Sequence, residues 1–590
     1  MNDSAQTRAQ AAVNRPRTPQ ANPLDHLLRA WAAHATNGLS PAALQLAFLD
    51  WALHYASSPG KHLDLAQDAY DKALRLFLHA SRCGLREDEH PCVEPAPRDR
   101  RFDDEAWHRW PFNILSQSFL LQEQWWSRAT TEVRGVSHHH RNMVNFVGRQ
   151  LLDMASPSNG LFTNPEVLEH TIRQGGANLW RGAENLVDDV HRRLSGAPPA
   201  GAEAFRVGDN LATTPGQVVY RNELMELIQY SPTTKTVYPE PVLLLPAWIM
   251  KYYILDLSAE NSLVRYLLDK GYTVFALSWK NPGAEDRQLG MDDYLRLGVD
   301  AAVEAVSAIV PERRIHAVGY CLGGTLLALA AAAMGRADDE RLKSVTLLAG
   351  QVEFTEPGEL GLFIDESQVT YLEDLMWEQG YLDAGRMAGA FQWLRSQDLV
   401  WSRVVHDYLM GEREELFDLM AWNADATRMP YRMHSEYLRR LYLYNDFAQG
   451  RFRVHGQPVH PGDIRPPIFA VGTERDHVAP WSSVYKITRL ARVPVHFALT
   501  SGGHNVGVVN PPGHSHRHYR LRLFKPHGTV LPHERFLSEV EPEQGSWWPA
   551  WVAWLRERSG SRVPAPTALG APEQGYRPLG PAPGEYVLQS

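Results

Sequence analysis

At 590 residues the chain is too long for a single hydrophobic core and predicts two to four domains or subdomains. A net charge of −9 excludes a general nucleic-acid binder, which would be basic. Three cysteines, Cys83, Cys92 and Cys321, make no disulfide framework, and no apolar run approaches the ~20 residues that span a bilayer.

Residues 1–22 are polar, with Pro, Gln and Asn and no periodicity. They predict a disordered N-terminus without the apolar core of a signal peptide, so the expected compartment is cytoplasmic. Residues 23–200 predict a helical N-terminal domain. Ala42 to Leu53 repeats apolar residues at helical spacing. Phe112 to Trp126 is aromatic-rich and reads as core packing more than as a ligand box. Cys83 and Cys92, close together in a polar, Pro-containing stretch, read as incidental. His138, His139 and His140 read as a solvated segment and not as a metal site, because consecutive side chains point in different directions.

Residues 201–558 predict an α/β catalytic domain. Val218–Tyr220 and Leu227–Tyr230 read as short strands. Apolar runs then alternate with helical stretches: Val242–Leu245, Thr273–Leu277, Ile315–Val318, Ser344–Leu348, Ile468–Val471 and Val495–Leu499. Continuous apolar strands separated by helices indicate a mostly parallel sheet covered on both faces. Residues 354–464 interrupt the rhythm and predict a helical cap, rich in aromatics such as Trp377, Phe391, Trp393, Trp401, Phe417 and Trp422. The Pro- and Gly-rich tail, 559–590, is expected to be irregular.

Gly319-Tyr320-Cys321-Leu322-Gly323-Gly324 lies between the strand Ile315–Val318 and the helical run Thr325–Ala333. Strand, Gly-x-nucleophile-x-Gly, helix is the context of a nucleophile elbow, here with cysteine in place of serine. The competing reading, a buried structural cysteine, lacks any need for that context. An elbow nucleophile needs a base and a group that orients the base. In the α/β-hydrolase fold the order is nucleophile, acid, histidine, and Asp476 and His504 follow the last two parallel strands in that order. Glu474 is a weaker rival to Asp476. His477 competes with His504, but it adjoins Asp476 in sequence and is expected to support the site from beside it. The oxyanion hole is expected to use the backbone N–H of Leu322. Pro246 has no N–H, so Ala247 or Trp248 is the second donor candidate. No metal and no cofactor are expected.

With these residues in view, the chain resembles the polyhydroxyalkanoate synthases, the polyester polymerases of bacterial storage granules. The resemblance runs from about residue 100 to near the end. It is carried by Ser156–Asn159 with Thr163–Val167, Tyr252–Leu257, Ser278–Pro282, Gly319–Gly324, Trp422–Arg428, Asp476–Trp481 and Ser501–His504 through Val508–Pro512. It implies a Cys321, His504, Asp476 triad and a single-subunit enzyme. It implies an acyltransferase that takes (R)-3-hydroxyacyl-CoA onto cysteine, adds it to a growing polyester and releases CoA. It also implies a homodimer in which the cap takes part, cytoplasmic granules as the location, and granule surface proteins as further partners. The chain departs from the family pattern at Met250, where Asn usually follows Trp-Ile or Cys-Ile, and at Ala247, where a second Pro is usual. The rival readings are a polyester depolymerase or thioesterase on the same scaffold, and a catalytically silent granule scaffold.

Overall fold

A computed structural model describes residues 22–590 apart from 37, 84–90, 97–98, 384, 386–395, 515, 527 and 529–530. The expected disordered segment, except Asn22, and the cap aromatics Phe391 and Trp393 lie outside the described residues.

The N-terminal region is helical: α1 (Pro23–Ala35), α2 (Pro41–Ala56), α3 (Pro59–Cys83), α4 (Phe112–Thr131), α5 (His138–Met154), α6 (Pro165–Arg173) and α7 (Ala177–Ser195). Three of these open on a capping residue followed by proline: Asn22-Pro23, Ser40-Pro41 and Asn164-Pro165. The cap side chain accepts from an otherwise unpaired N–H, and proline loses nothing at the first helical position. In the aromatic stripe, Phe119, Leu120 and Leu121 pack with Val93, Phe102 and Trp107.

His138, His139 and His140 are solvent-accessible, as expected, but the group also makes contacts across the chain. They open α5, and two are tied to carboxylates: His140 Nδ1 lies 2.7 Å from Asp50 Oδ2, and His139 Nε2 3.2 Å from Asp365 Oδ2. The partners come from other segments, so local sequence could not show them.

The chain has an α/β-hydrolase fold. Among the described residues its central sheet has 11 strands. In chain order they are β1 (Gly216–Arg221), β2 (Met225–Tyr230), β3 (Val242–Leu245), β4 (Val274–Trp279), β5 (Ile315–Tyr320), β6 (Leu342–Leu348), β7 (Ile468–Thr473), β8 (Val495–Thr500), β9 (His518–Phe524), β10 (Glu543–Gln544) and β11 (Gly580–Pro581). The spatial order is β10-β9-β8-β7-β6-β5-β3-β4-β2-β1-β11. From β4 to β8 the strands run parallel, and antiparallel pairs flank them on both sides. Strands β3, β4, β5 and β7 are buried along their whole length, as continuous apolar runs require. After β5 the helix α8 (Leu322–Arg336) lies almost wholly buried.

Between β6 and β7 the chain makes the helical insertion, including α9 (Glu366–Gln379), α10 (Tyr431–Tyr437) and π-helical turns at Val404–Leu409 and Leu438–Leu443. The N-terminal helices hold it from two sides. On one, Asn178 and Asn185 of α7 donate to Leu409 O (2.7 Å) and Asp407 O (2.9 Å). On the other, α1 lies along α9, with His26 Nδ1 2.5 Å from Asp374 Oδ1.

The tail is more ordered than its composition suggests. Val563–Pro564 pairs with Thr236–Val237, and β11 extends the sheet edge beside β1, a place where proline is tolerated. Beyond it, the buried Lys251 ammonium donates to Val587 O and Gln589 O, both at 2.5 Å.

Candidate active site

The nucleophile elbow is a backbone feature before it is a chemical one. Cys321 has φ 53° and ψ −120°, a region that costs a non-glycine residue about 1–3 kcal/mol. The turn is held by Cys321 N–H donating to Leu348 O at 2.8 Å and by Cys321 O accepting from Gly324 N at 2.9 Å. Gly319 and Gly323 make the turn possible. A Cβ on Gly319 would lie 2.5 Å from Gly323 O, and one on Gly323 would lie 2.2 Å from Leu245 O. Cys321 thereby sits at the head of α8, whose first amides have no intrahelical acceptor.

Asp476 and His504 come from the loops after β7 and β8. His504 Nδ1 lies 2.7 Å from Asp476 Oδ2. The same oxygen accepts from Thr473 Oγ1 at 2.9 Å, and Asp476 Oδ1 accepts from Val478 N (2.9 Å) and Ala479 N (2.8 Å). The Asp476 side chain is fully buried. Burial alone would raise its carboxyl, but the His504 charge and these donors hold it below the usual carboxylate range. Burial would likewise depress His504, yet the Asp476 carboxylate and the Cys321 sulfur lift it well above an ordinary histidine. The structure thus brings together Cys321, His504 and Asp476.

The rivals are placed elsewhere. Glu474 is engaged by Arg520 Nη1 (2.9 Å) and His518 Nε2 (3.1 Å) on β9. His477 lines a separate cavity between the N-terminal helices and the cap, beside Glu359 and Arg149.

Leu322 and Ile249 share with Cys321 the wall of a largely aliphatic cavity of about 160 Å³. Ala247 and Trp248 are buried in the loop after β3, which passes over the elbow. That loop is pinned to the cap: Thr427 Oγ1 donates to Trp248 O at 3.0 Å and Thr427 N to Ile249 O at 3.2 Å. Met250 pairs with Ala426 and is absent from the cavity wall, so its difference from the family pattern bears on the loop–cap contact.

Several residues of the site were not singled out from sequence. Tyr437 and Tyr442 of the cap line the cavity, with their hydroxyls 3.1 Å apart. Burial above all, and to a lesser extent Cys321, keeps both phenols protonated. His434 lines the same wall. Tyr320 OH donates to Asn505 Oδ1 at 2.5 Å, and its ring lies 5.6 Å from that of His504. For the cap residues the sequence signal was aromatic richness, which does not say which rings face inward, whereas Tyr320 stands in the elbow motif itself.

Comparison with known proteins gives three family matches. Residues 98–267 match the model described as Poly-beta-hydroxybutyrate polymerase (PhaC) N-terminus, residues 19–61 match Poly-beta-hydroxybutyrate polymerase N terminal, and residues 240–515 match the alpha/beta hydrolase fold. The Poly(3-hydroxyalkanoate) polymerase of Methylorubrum extorquens is 41% identical over 503 residues, covering 84% of this chain and 82% of that one. The Poly(3-hydroxyalkanoate) polymerase subunit PhaC of Cupriavidus necator is 35% identical over 570 residues, covering 95% and 93%.

Proposed function

The chain belongs to the poly(3-hydroxyalkanoate) polymerase family, and from that premise we propose how its residues carry the reaction. It is an acyltransferase that makes polyhydroxyalkanoate. The substrate is an (R)-3-hydroxyacyl-CoA, and Cys321 is the acyl carrier. The observation that carries this reading is the Asp476–His504 hydrogen bond set beside a cysteine at an elbow.

His504 takes the proton from Cys321, and the sulfur attacks the thioester carbonyl. The bond from carbonyl carbon to CoA sulfur breaks, and CoA leaves as the thiol with the proton that His504 held. One thioester has replaced another, so the acyl group on Cys321 remains reactive. The hydroxyl of a second hydroxyacyl group then gives its proton to His504 and attacks. An ester bond forms, and Cys321 is released from that acyl group. In both halves the transient oxyanion is met by the backbone N–H of Leu322, with that of Ala247 or Trp248 as the second donor. Both Asp476 oxygens already accept hydrogen bonds, which favours a role in orienting His504 over direct removal of a proton from the hydroxyl.

The aliphatic cavity under the cap suits this chemistry because water there would hydrolyse the acyl-enzyme. The cap is also the part that would enter a homodimer. Exposed apolar side chains on the N-terminal helices, Trp31, Phe77, Trp180 and Leu194, support contact with the polyester granule or its surface proteins. Among the described residues, no helix is long and apolar enough to cross a membrane.

The test is the product made from 3-hydroxybutyryl-CoA. Insoluble polyester with CoA release is expected. Free 3-hydroxybutyrate as the main product would make the protein a thioesterase, and no CoA release would make it a silent scaffold.

A further inference from the structure

Gly38 and Leu39 belong to the N-terminal helical region, yet both line the cavity that contains Cys321. We propose that Leu39 is a specificity-determining residue that limits the length of the acyl chain carried on Cys321. The inference rests on the polymerase reading above.

Local structure puts Leu39 there. It lies in the short turn between α1 and α2, where Gly38 takes φ +82°. Ser40 caps α2 by accepting from Ala43 N at 3.3 Å. The turn is then clamped to the cap by one buried side chain, Gln368 of α9. Its Nε2 donates to Gly38 O at 2.6 Å, and its Oε1 accepts from Ser40 N at 2.8 Å. The two bonds fall on either side of Leu39 and fix the backbone from which its side chain projects. Thr36 Oγ1 and Tyr371 OH, 3.1 Å apart, add a further tie between the same two elements.

Leu39 shares the cavity wall with Leu372 and Leu375 of α9. A side chain at the Gly38 Cβ position would already touch Leu372 Cδ2 at 3.5 Å, so this part of the wall is closely filled. An acyl group on Cys321 must place its alkyl part within this cavity. Its length is therefore limited by a wall to which the N-terminal region contributes, and not by the catalytic domain alone. The Gln368 clamp makes that contribution a fixed one, since both hydrogen bonds are buried and unpaired amide groups would be costly.

The experiment compares kcat/KM for 3-hydroxyhexanoyl-CoA and 3-hydroxybutyryl-CoA in the full chain, Leu39→Ala, Leu39→Phe and Gln368→Met. One methylene in an apolar pocket discriminates by about tenfold or more, so Leu39→Ala should raise the longer-to-shorter ratio by roughly that factor and Leu39→Phe should lower it. Gln368 also lines the cavity, so Gln368→Met both frees the turn and alters the wall beside Leu39; it should weaken discrimination, and an unchanged ratio in it counts against the proposal. Leu27→Ala, exposed on α1, should leave the ratio unchanged. Ratios within about twofold of wild type in both folded Leu39 variants overturn the proposal, because a wall residue should discriminate by more. A wild type that makes polyester from both substrates keeps the polymerase reading in that event. A wild type that releases no CoA overturns both.

Discussion

His504 Nδ1 lies 2.7 Å from Asp476 Oδ2, although the two residues follow different strands. The contact follows from sheet register. Strands β7 and β8 are parallel neighbours paired through Thr473 and Thr500, so their loops leave the same edge side by side. Glu474 N donates to Thr500 O and Arg475 N to Gly502 O, both at 2.9 Å, carrying the pairing on into the loops. The acid and the base are thereby held by backbone before any substrate arrives.

That arrangement ranks the two histidines. His504→Ala should slow acylation by CoA thioester by about 10²–10⁴-fold, the usual contribution of a positioned base. His477→Ala should cost far less, because His477 lines the other cavity. Stopped-time assays of CoA release in both variants check this, and the reverse ranking would give the base role to His477.

The elbow makes a steric prediction. Gly323→Ala places a methyl 2.2 Å from Leu245 O, so the elbow and the loop after β3 must part. A displacement near 1 Å at reacting groups costs about 10²-fold, and kcat should fall by at least that. Circular dichroism of the same sample separates lost geometry from lost folding.

Two buried histidines predict how stability depends on pH. Burial pushes His434 down to about 4, and burial with help from Lys343 and Arg558 pushes His316 down to about 3. The unfolded chain takes up these protons near pH 6.5, and the folded chain does so only below those values. Their contribution to stability is therefore full above pH 6.5 and falls with acidification towards those values, by about 1.4 kcal/mol per pH unit for each histidine. His504, held high, acts in the opposite sense, and its contribution is lost as pH rises through its folded value. Urea midpoints near neutrality and near about pH 5 should differ accordingly, and His434→Leu should flatten the slope. Equal midpoints would contradict this.

The tail supplies a further prediction. The Lys251 side chain is 3% exposed, and burial lowers its ammonium from the ordinary lysine value although Asp425 is 3.4 Å away. Removing residues 587–590 takes away two of its acceptors while Asp425 stays, and a hydrogen bond to a charged group contributes about 1.5–3 kcal/mol. The same truncation in a Lys251→Met background should cost much less. Denaturation of the four proteins forms the double-mutant cycle, and equal costs in both backgrounds would remove Lys251 from the explanation.

What could be read in the sequence depended on the range of the interaction. Strands such as Val242–Leu245 and Ile468–Val471 were legible because both faces are buried and every position is apolar or small. The elbow was legible because its requirement for glycine is local. Strand β9 was not singled out: Arg520 and Arg522 interrupt its apolar residues, as suits a strand paired antiparallel beyond the parallel core. The pairings of His139 and His140, and the place of Leu39 in the cavity, depend on partners far along the chain. The hold of the tail on Lys251 uses backbone carbonyls, which leave no mark in side-chain identity.

Quenching the protein in acid during turnover of 3-hydroxybutyryl-CoA and mapping the added mass by peptide mass spectrometry shows whether the growing acyl group is carried on Cys321. A hydroxyacyl adduct is expected on the peptide containing Cys321, with no adduct and no CoA release in Cys321→Ala and at most weak polymer from Cys321→Ser. An adduct on another residue, or CoA released by Cys321→Ala at close to the wild-type rate, would contradict Cys321 as the acyl carrier.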